Sequence, residues 1–206
     1  MKLGDFIQSG KWQRTILFQT FFGGLAVLIL FSASHWKNKS MIGAFLFLTG
    51  TILTGIAVVG RSWASLYIAG YKVNTLVTSG PYSISRNPLY LFNLIGAEGV
   101  GLTTETLVIP IILLICFILY YPSVIRKEEK RLSAIHKEDF DNYCKRIPRF
   151  LPSFSTWHEP EEYTVKPKIF RKALRDVVWF VWVVGIVEFL EACHEHRLVP
   201  VLFSLY

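Results

Sequence analysis

The chain has 206 residues, of which 52% are hydrophobic and only 18% charged, with a mean hydropathy of +0.39. A soluble domain of this size has too little interior to hide so much apolar surface, so an ordinary soluble fold is excluded and a single membrane domain is expected. The net charge of +7 would suggest a nucleic acid partner if it were spread evenly, but all of the 22 lysines and arginines except Lys37, Lys39 and Arg197 fall in residues 1–14, 61–86 and 126–175, which is the pattern of basic loops facing the cytoplasm and its anionic headgroups.

In chain order, residues 15–33 hold one strongly polar side chain, Gln19, and residues 41–60 hold nothing more polar than threonine. At ~1.5 Å per residue each can cross a hydrocarbon core of ~30 Å. Basic residues before the first stretch and Ser32-Ala33-Ser34 after it resemble a secretory leader with its cleavage site. The stretch exceeds a leader's apolar region and a second apolar segment follows at once, so a retained helix is expected. The link at residues 35–40 forces an antiparallel hairpin, and Gly23, Gly24, Gly43, Gly50 and Gly55 suit close helix approach.

Residues 61–86 are mixed and turn-rich, and are read as a cytoplasmic connector ending in Ser79-Gly80-Pro81. A second apolar pair, residues 89–102 and 107–124, surrounds Thr103-Thr104-Glu105, and its first member carries Asn93 and Glu98. An ionisable group at membrane depth is expensive and faces the protein interior; Glu98 at headgroup level is the other placement. Residues 126–140 form a charged amphipathic helix with Leu132, Ile135 and Phe140 as its stripe. Residues 142–152 are basic and end in proline, and residues 153–168 are expected as a polar surface loop. Residues 177–187 are tryptophan-rich between Asp176 and Glu188, short for a span but favoured as a fifth, the alternative being an interfacial position beside residues 198–206. The expected fold class is all-α, a multi-pass transmembrane helical bundle of about five spans. Residues 1–60 are its N-terminal hairpin, residues 61–152 a core containing the hairpin 89–124, and residues 153–206 a C-terminal loop and last membrane segment. The N-terminus is expected in the cytoplasm and the host membrane to be a bacterial inner membrane.

Two segments on the basic side carry chemistry. Ser79-Gly80-Pro81 makes a tight turn, and Pro88 suits the first turn of a helix, where its missing N–H costs nothing. Free amides there, beside Arg86, suit a carboxylate or phosphate, and Tyr82 and Tyr90 offer aromatic faces to an adenine ring or a sulfonium cation. Glu128 and Glu129 place carboxylates just beyond a span, where they suit a ribose or an amino group. Residue types alone favour an ordinary solvated helix face, since charge runs after a span are common.

The order and spacing of these residues are more specific. Leu76-Val77-Thr78-Ser79-Gly80-Pro81-Tyr82, Arg86-Asn87-Pro88-Leu89-Tyr90, Glu128-Glu129-Lys130-Arg131-Leu132 and Tyr143-Cys144-Lys145-Arg146-Ile147-Pro148-Arg149 together resemble the isoprenylcysteine carboxyl methyltransferase and phospholipid methyltransferase superfamily. The likeness covers about residues 70–152. It implies S-adenosyl-L-methionine in a cytoplasm-facing pocket, touched by Asn74, Thr75, Leu76, Val77, Tyr82, Asn87, Pro88, Leu89 and Tyr90 and closed by Glu128. It also implies that Arg149 and Arg146 shape the loop near the headgroups. The expected activity is methyl transfer to a lipid or lipophilic small molecule, with Glu98, Glu129 and Arg149 acting at the acceptor. The partners are membrane lipids and that acceptor, with no nucleic acid, no metal and no obligate protein partner.

Two departures matter. Asn87 stands where the family has histidine; it keeps a donor and an acceptor but does not titrate. Val124 stands where the prenylcysteine branch has an arginine facing the substrate carboxylate, which points away from that substrate unless Arg126 substitutes. The competing readings are an NADPH-dependent membrane reductase of the sterol or steroid type, with a similar C-terminal tail, and a non-catalytic protein of the same fold. Cys193-His194-Glu195-His196 has weak metal-site character and no distant fourth ligand. Cys116, Cys144 and Cys193 form no CxxC pair or disulfide framework.

Overall fold

A computed structural model describes residues 19–36, 41–71 and 75–206. Five α-helices occupy most of the described residues: α1 (Gln19–Phe31), α2 (Met41–Ile68), α3 (Pro88–Thr103), α4 (Val108–Arg146) and α5 (Pro167–Glu195). Two short strands, β1 (Ser32–Ser34) and β2 (Phe203–Leu205), pair in parallel, with Ser32 opposite Phe203 and Ser34 opposite Leu205. The α2 and α4 helices are long and apolar enough to cross a membrane.

The packing inverts that of a soluble protein. On α2 the buried positions are Gly43, Leu46, Gly50, Thr54, Ala57, Gly60, Ala64, Ser65 and Tyr67, a stripe of mostly small residues, whereas Phe45, Leu48, Ile52, Ile56 and Val59 point outward. Small residues inside and large apolar ones outside is how helices pack in lipid, where tight backbone approach replaces the hydrophobic effect as the force between helices. Outward Leu114, Ile118 and Leu119 on α4, and Val178, Trp179, Val181 and Trp182 on α5, continue the apolar exterior.

The tightest pairing is α2 with α3, and α3 also packs against α4 and α5. At the α2–α3 crossing the backbones touch. A Cβ on Gly50 would lie 2.6 Å from the Gly99 carbonyl oxygen, and one on Gly99 would lie 2.6 Å from Thr54 Oγ1 and 2.7 Å from Thr54 N. Of the glycines singled out from the sequence, Gly43 and Gly50 serve close approach, while Gly23, Gly24 and Gly55 face open space.

Element limits differ from expectation in three places. The α2 helix runs past residue 60 to Ile68, so Arg61 and Tyr67 are helical rather than parts of a connector. The second member of the apolar hairpin does not stop at residue 124: α4 continues through Pro122 to Arg146, broken only at Lys137, whose φ of 45° is non-helical. Proline forfeits one helical hydrogen bond, a loss helices absorb where a neighbouring side chain bonds the backbone. The carbonyl so freed is that of Ile118; the side-chain bonds beside the proline, Ser123 Oγ to Tyr120 O at 2.8 Å and Arg126 Nε to Pro122 O at 3.1 Å, go to other carbonyls of the same stretch. The short segment at 177–187 is the middle of α5, 29 residues long. The strand pair is a further departure from an all-α chain. Around it, Leu107 N and Val108 N donate to Tyr206 O at 2.8 and 3.1 Å and Ser34 Oγ to Glu105 O at 2.7 Å, which ties one end of the bundle together.

Because the α2–α3 contact is backbone against backbone, Gly99→Val is expected to destabilise the protein by about 1–3 kcal/mol through overpacking, and Gly55→Ala to leave it unchanged. Reversible unfolding in mixed micelles reads both.

Candidate functional site

The turn expected at residues 79–81 is a short 3₁₀ helix, Gly80–Ser83, with all four residues buried. Gly80 sits at φ +58°, and any Cβ there would run into the Tyr67 ring, so glycine is required twice over. Ser83 Oγ donates to Gly80 O at 2.6 Å and closes the turn. Asn87 then leads into α3 with Pro88 at its first turn, as the sequence anticipated.

The turn is held from outside by residues 143–158. Tyr143 Oη donates to Tyr82 O at 2.8 Å, Arg86 N to Pro148 O at 2.9 Å, Ser85 Oγ to Phe150 O at 2.9 Å and Asn87 Nδ2 to Arg149 O at 2.9 Å. Ser153 N donates to Ile84 O at 2.8 Å, Thr156 Oγ1 to Ser83 O at 2.7 Å and Gly80 N to His158 O at 2.8 Å. Residues 153–168 lie at the surface as expected, the last two opening α5, but the segment is tied down by these bonds. Glu159 accepts from Tyr67 Oη at 2.8 Å, Tyr163 Oη donates to Tyr67 O at 2.7 Å, and Trp157 stacks on Trp63 with centroids 5.3 Å apart.

Between the turn so held and α4 lies a cavity of about 210 Å³. Its wall includes Thr75, Leu76, Val77, Tyr82, Asn87, Pro88, Leu89 and Tyr90 from the turn side and Glu128, Glu129 and Leu132 from α4, with Arg61 and Asn93 also contributing. Of the groups expected at a cofactor, all but Asn74, which lies outside the described residues, line this one cavity. Tyr82 and Glu128 share it, 46 positions apart in sequence.

Tyr90 Oη donates to Glu128 Oε2 at 2.7 Å. Glu129 is gripped by two arginines: Arg149 forms a two-pronged contact, Nε to Oε1 at 3.2 Å and Nη2 to Oε2 at 2.5 Å, and Arg86 Nη1 lies 3.3 Å from Oε1. Such forked pairs fix direction as well as charge. Arg86 Nη1 also donates to Cys144 Sγ at 2.7 Å. Among the described residues the Tyr82 hydroxyl is buried with no hydrogen-bond partner, which leaves it as a donor to be satisfied. Burial pushes the Tyr82 and Tyr143 phenols well up, so both remain protonated donors at neutral pH.

Some expectations are not met in place. Glu98 lies on α3 outside the residues lining the cavity, with Oε1 buried and unpartnered among the described residues. Arg149 reaches the site through Glu129 and through its carbonyl rather than by lining it. The amides expected to be free at the start of α3 are partly spent, since Tyr90 N and Leu91 N both donate to Asn87 O at 3.1 Å. His194 Nε2 lies 2.8 Å from Leu30 O, in a contact between helices. Arg61 was not anticipated; the signal available was an arginine close behind an unbroken apolar run, the same kind of signal that drew attention to Glu98.

These features define a helical, lipid-adapted protein with a mixed polar and apolar cavity at one end of its bundle. The chain belongs to the phospholipid methyltransferase family, whose sequence profile matches residues 38–139; the strap at 143–158 lies beyond the matched part. It is 36% identical over 196 residues to the cobalt-zinc-cadmium resistance protein CzcN of Cupriavidus metallidurans, covering 95% of this chain and 87% of that protein. It is 37% identical over 179 residues to the nickel-cobalt-cadmium resistance protein NccN of Alcaligenes xylosoxydans xylosoxydans, covering 87% and 83%. No solved structure matches at the same level of significance.

Tyr143→Phe removes a buried donor and leaves Tyr82 O without it, so it should cost about 1–3 kcal/mol. Unfolding midpoints in detergent should show that loss, and a neutral result would mean the bond does not anchor the turn.

Proposed function

We propose that this chain is an S-adenosyl-L-methionine-dependent methyltransferase that modifies a lipid or lipophilic small molecule at the cytoplasmic face of a bacterial inner membrane. We further propose that the bundle is multi-pass, with about five spans and a cytoplasmic N-terminus. The observation that carries this reading is the meeting of the turn, the start of α3 and the α4 glutamates on one cavity. Membership in the family supports the same cofactor. The two relatives bear the names of metal-resistance proteins, and we infer that the modified acceptor is needed in a membrane facing such ions.

The residues fit the cofactor's chemistry. Glu128, oriented by Tyr90, suits a ribose diol or an ammonium group. The unpartnered Tyr82 hydroxyl suits a ribose or carboxylate oxygen. Apolar Leu76, Val77, Leu89 and Leu132 suit the faces of a purine and keep water from the reacting centre. Asn87 adds a fixed polar edge, its Nδ2 already committed to Arg149 O. Bound there, S-adenosyl-L-methionine would supply an electrophilic methyl on a cationic sulfur: the S–CH₃ bond breaks with its electron pair to sulfur as an acceptor lone pair bonds the methyl, and any acceptor proton leaves to a base or water. Alignment and a dry site supply most of what such a displacement needs.

Among the three groups expected to act on the acceptor, Glu129 lines the cavity as a carboxylate oriented by Arg86 and Arg149. We assign Arg149 a positioning role through it. Any removal of an acceptor proton by the chain falls to Glu129 rather than to Glu98, which stands off the cavity.

S-adenosylhomocysteine at ~100 times its dissociation constant should stabilise the detergent-purified protein by about 2.7 kcal/mol, and NADPH should not. Tyr82→Phe and Glu128→Gln should each weaken that ligand about tenfold or more, while Glu98→Gln leaves its affinity unchanged. Stabilisation by NADPH instead would favour the reductase reading, and no response to either would favour a non-catalytic role.

A further inference from the structure

The stretch that bonds the turn has a second, outward edge. Phe150 O, Ser153 N and Thr156 Oγ1 face inward, bonded to Ser85, Ile84 and Ser83. Leu151, Phe154 and Trp157, one position further on in each case, are 75%, 67% and 48% exposed. The spacing of three suits the 3₁₀ turn Phe154–Thr156, in which side chains three apart lie over one another. The Phe154 and Trp157 rings stack with centroids 6.4 Å apart. Three large apolar side chains are thus set along the outside of the segment that holds the cavity's wall.

Both ends of this edge meet faces built for lipid. The Phe150 ring lies against Phe117 of α4, with centroids 5.7 Å apart, and Phe117 is one turn from outward Leu114 and next to outward Ile118. At the other end Trp157 stacks on Trp63 of α2. Trp63 follows Ile52, Ile56 and Val59 at helical spacing, and those three belong to the outward apolar row of that helix. A bilayer around α2 and α4 reaches the edge with no further contact, whereas a soluble partner would meet two lipid-adapted faces. Residues 145–158 also hold Lys145, Arg146 and Arg149 and no aspartate or glutamate, which suits anionic headgroups. Aromatic rings beside cations are what the interfacial layer of a membrane accommodates best.

We propose that Leu151, Phe154 and Trp157 are seated in the headgroup layer of the membrane, and that this seat presses residues 150–157 onto the turn at Gly80–Asn87. The lipid surface is then part of the mechanical support of the cavity. Lifting the edge out of lipid exposes three large apolar side chains to water and loosens the bonds made by the inward positions. The assignment needs only a bilayer around α2 and α4 and is independent of which ligand the cavity takes.

The test uses the whole chain in nanodiscs of phosphatidylcholine and phosphatidylglycerol. The photoreactive residue p-benzoylphenylalanine is placed in turn at Leu151, Phe154 and the exposed Glu161, and the masses of the products are read after irradiation. Positions 151 and 154 should form lipid adducts, in yields about fivefold or more above that at position 161. Hydrogen exchange of residues 80–87 gives the second reading. Leu151→Asp and Phe154→Asp should each speed it about tenfold while α3 stays within about twofold of the parent, and Phe154→Leu and Ser155→Asp should change neither. No lipid adduct, or equal yields at all three positions, overturns the seat. Adducts to a second copy of the chain assign the edge to a protein interface and overturn it as well. Lipid adducts together with unchanged exchange in both aspartate variants, or with speeding shared equally by α3, overturn the coupling to the turn.

Discussion

The site depends on a strap. Residues 80–87 carry no regular structure beyond one 3₁₀ turn, and a segment of this kind has no backbone ladder of its own to hold it. It is fixed because residues 143–158 bond it at Gly80, Tyr82, Ser83, Ile84, Ser85, Arg86 and Asn87 in succession. Four of these bonds use main-chain carbonyls of Pro148, Arg149, Phe150 and His158 as acceptors. The prolines at 148 and 152 keep this stretch out of helix, which leaves its carbonyls free of a helical ladder. Tyr143 supplies the most buried member of the set from the last turns of α4, packed with Phe140 and Ile147.

From the strap the geometry of the cavity follows. The α4 helix delivers Glu128 and Glu129 from one side and Tyr143 from its end, so one element both lines the cavity and anchors its opposite wall. Arg149 couples the two functions, its carbonyl receiving Asn87 and its guanidinium holding Glu129. The α2–α3 contact provides the base. Because Gly50 and Gly99 let the backbones meet, Arg61 on α2 and the residues opening α3 come to the same end of the bundle and line one space.

The sequence disclosed much of this in physical terms. Apolar runs and the one-sided distribution of lysine and arginine made a lipid-adapted helical bundle legible. Gly80, Pro81 and Pro88 marked backbone that only particular residues tolerate, so the turn and the start of α3 were legible too. The gathering of residues 75–77, 82, 87–90 and 128 was legible through the spacing of a family pattern rather than through periodicity. Other features left no such trace. The end of α4 was misjudged because a proline in a membrane helix need not stop it. Residues 153–168 lie at the surface as read, but the bonds of Glu159 and Tyr163 to Tyr67 span about ninety positions, a pairing that composition does not carry. The three-residue strands β1 and β2 were too short to show alternation, and their partners lie at opposite ends of the sequence. Arg61 was passed over because it adjoins a polar segment, whereas its function is decided by which cavities the end of α2 meets.

The most direct test of the central claim is a structure of the protein determined in nanodiscs with S-adenosylhomocysteine. The account predicts the ligand between Tyr82 and Glu128, in the cavity walled by the turn, the start of α3 and α4. Ligand bound elsewhere on the bundle, or a cavity at Tyr82 and Glu128 left empty at saturating ligand, would contradict it.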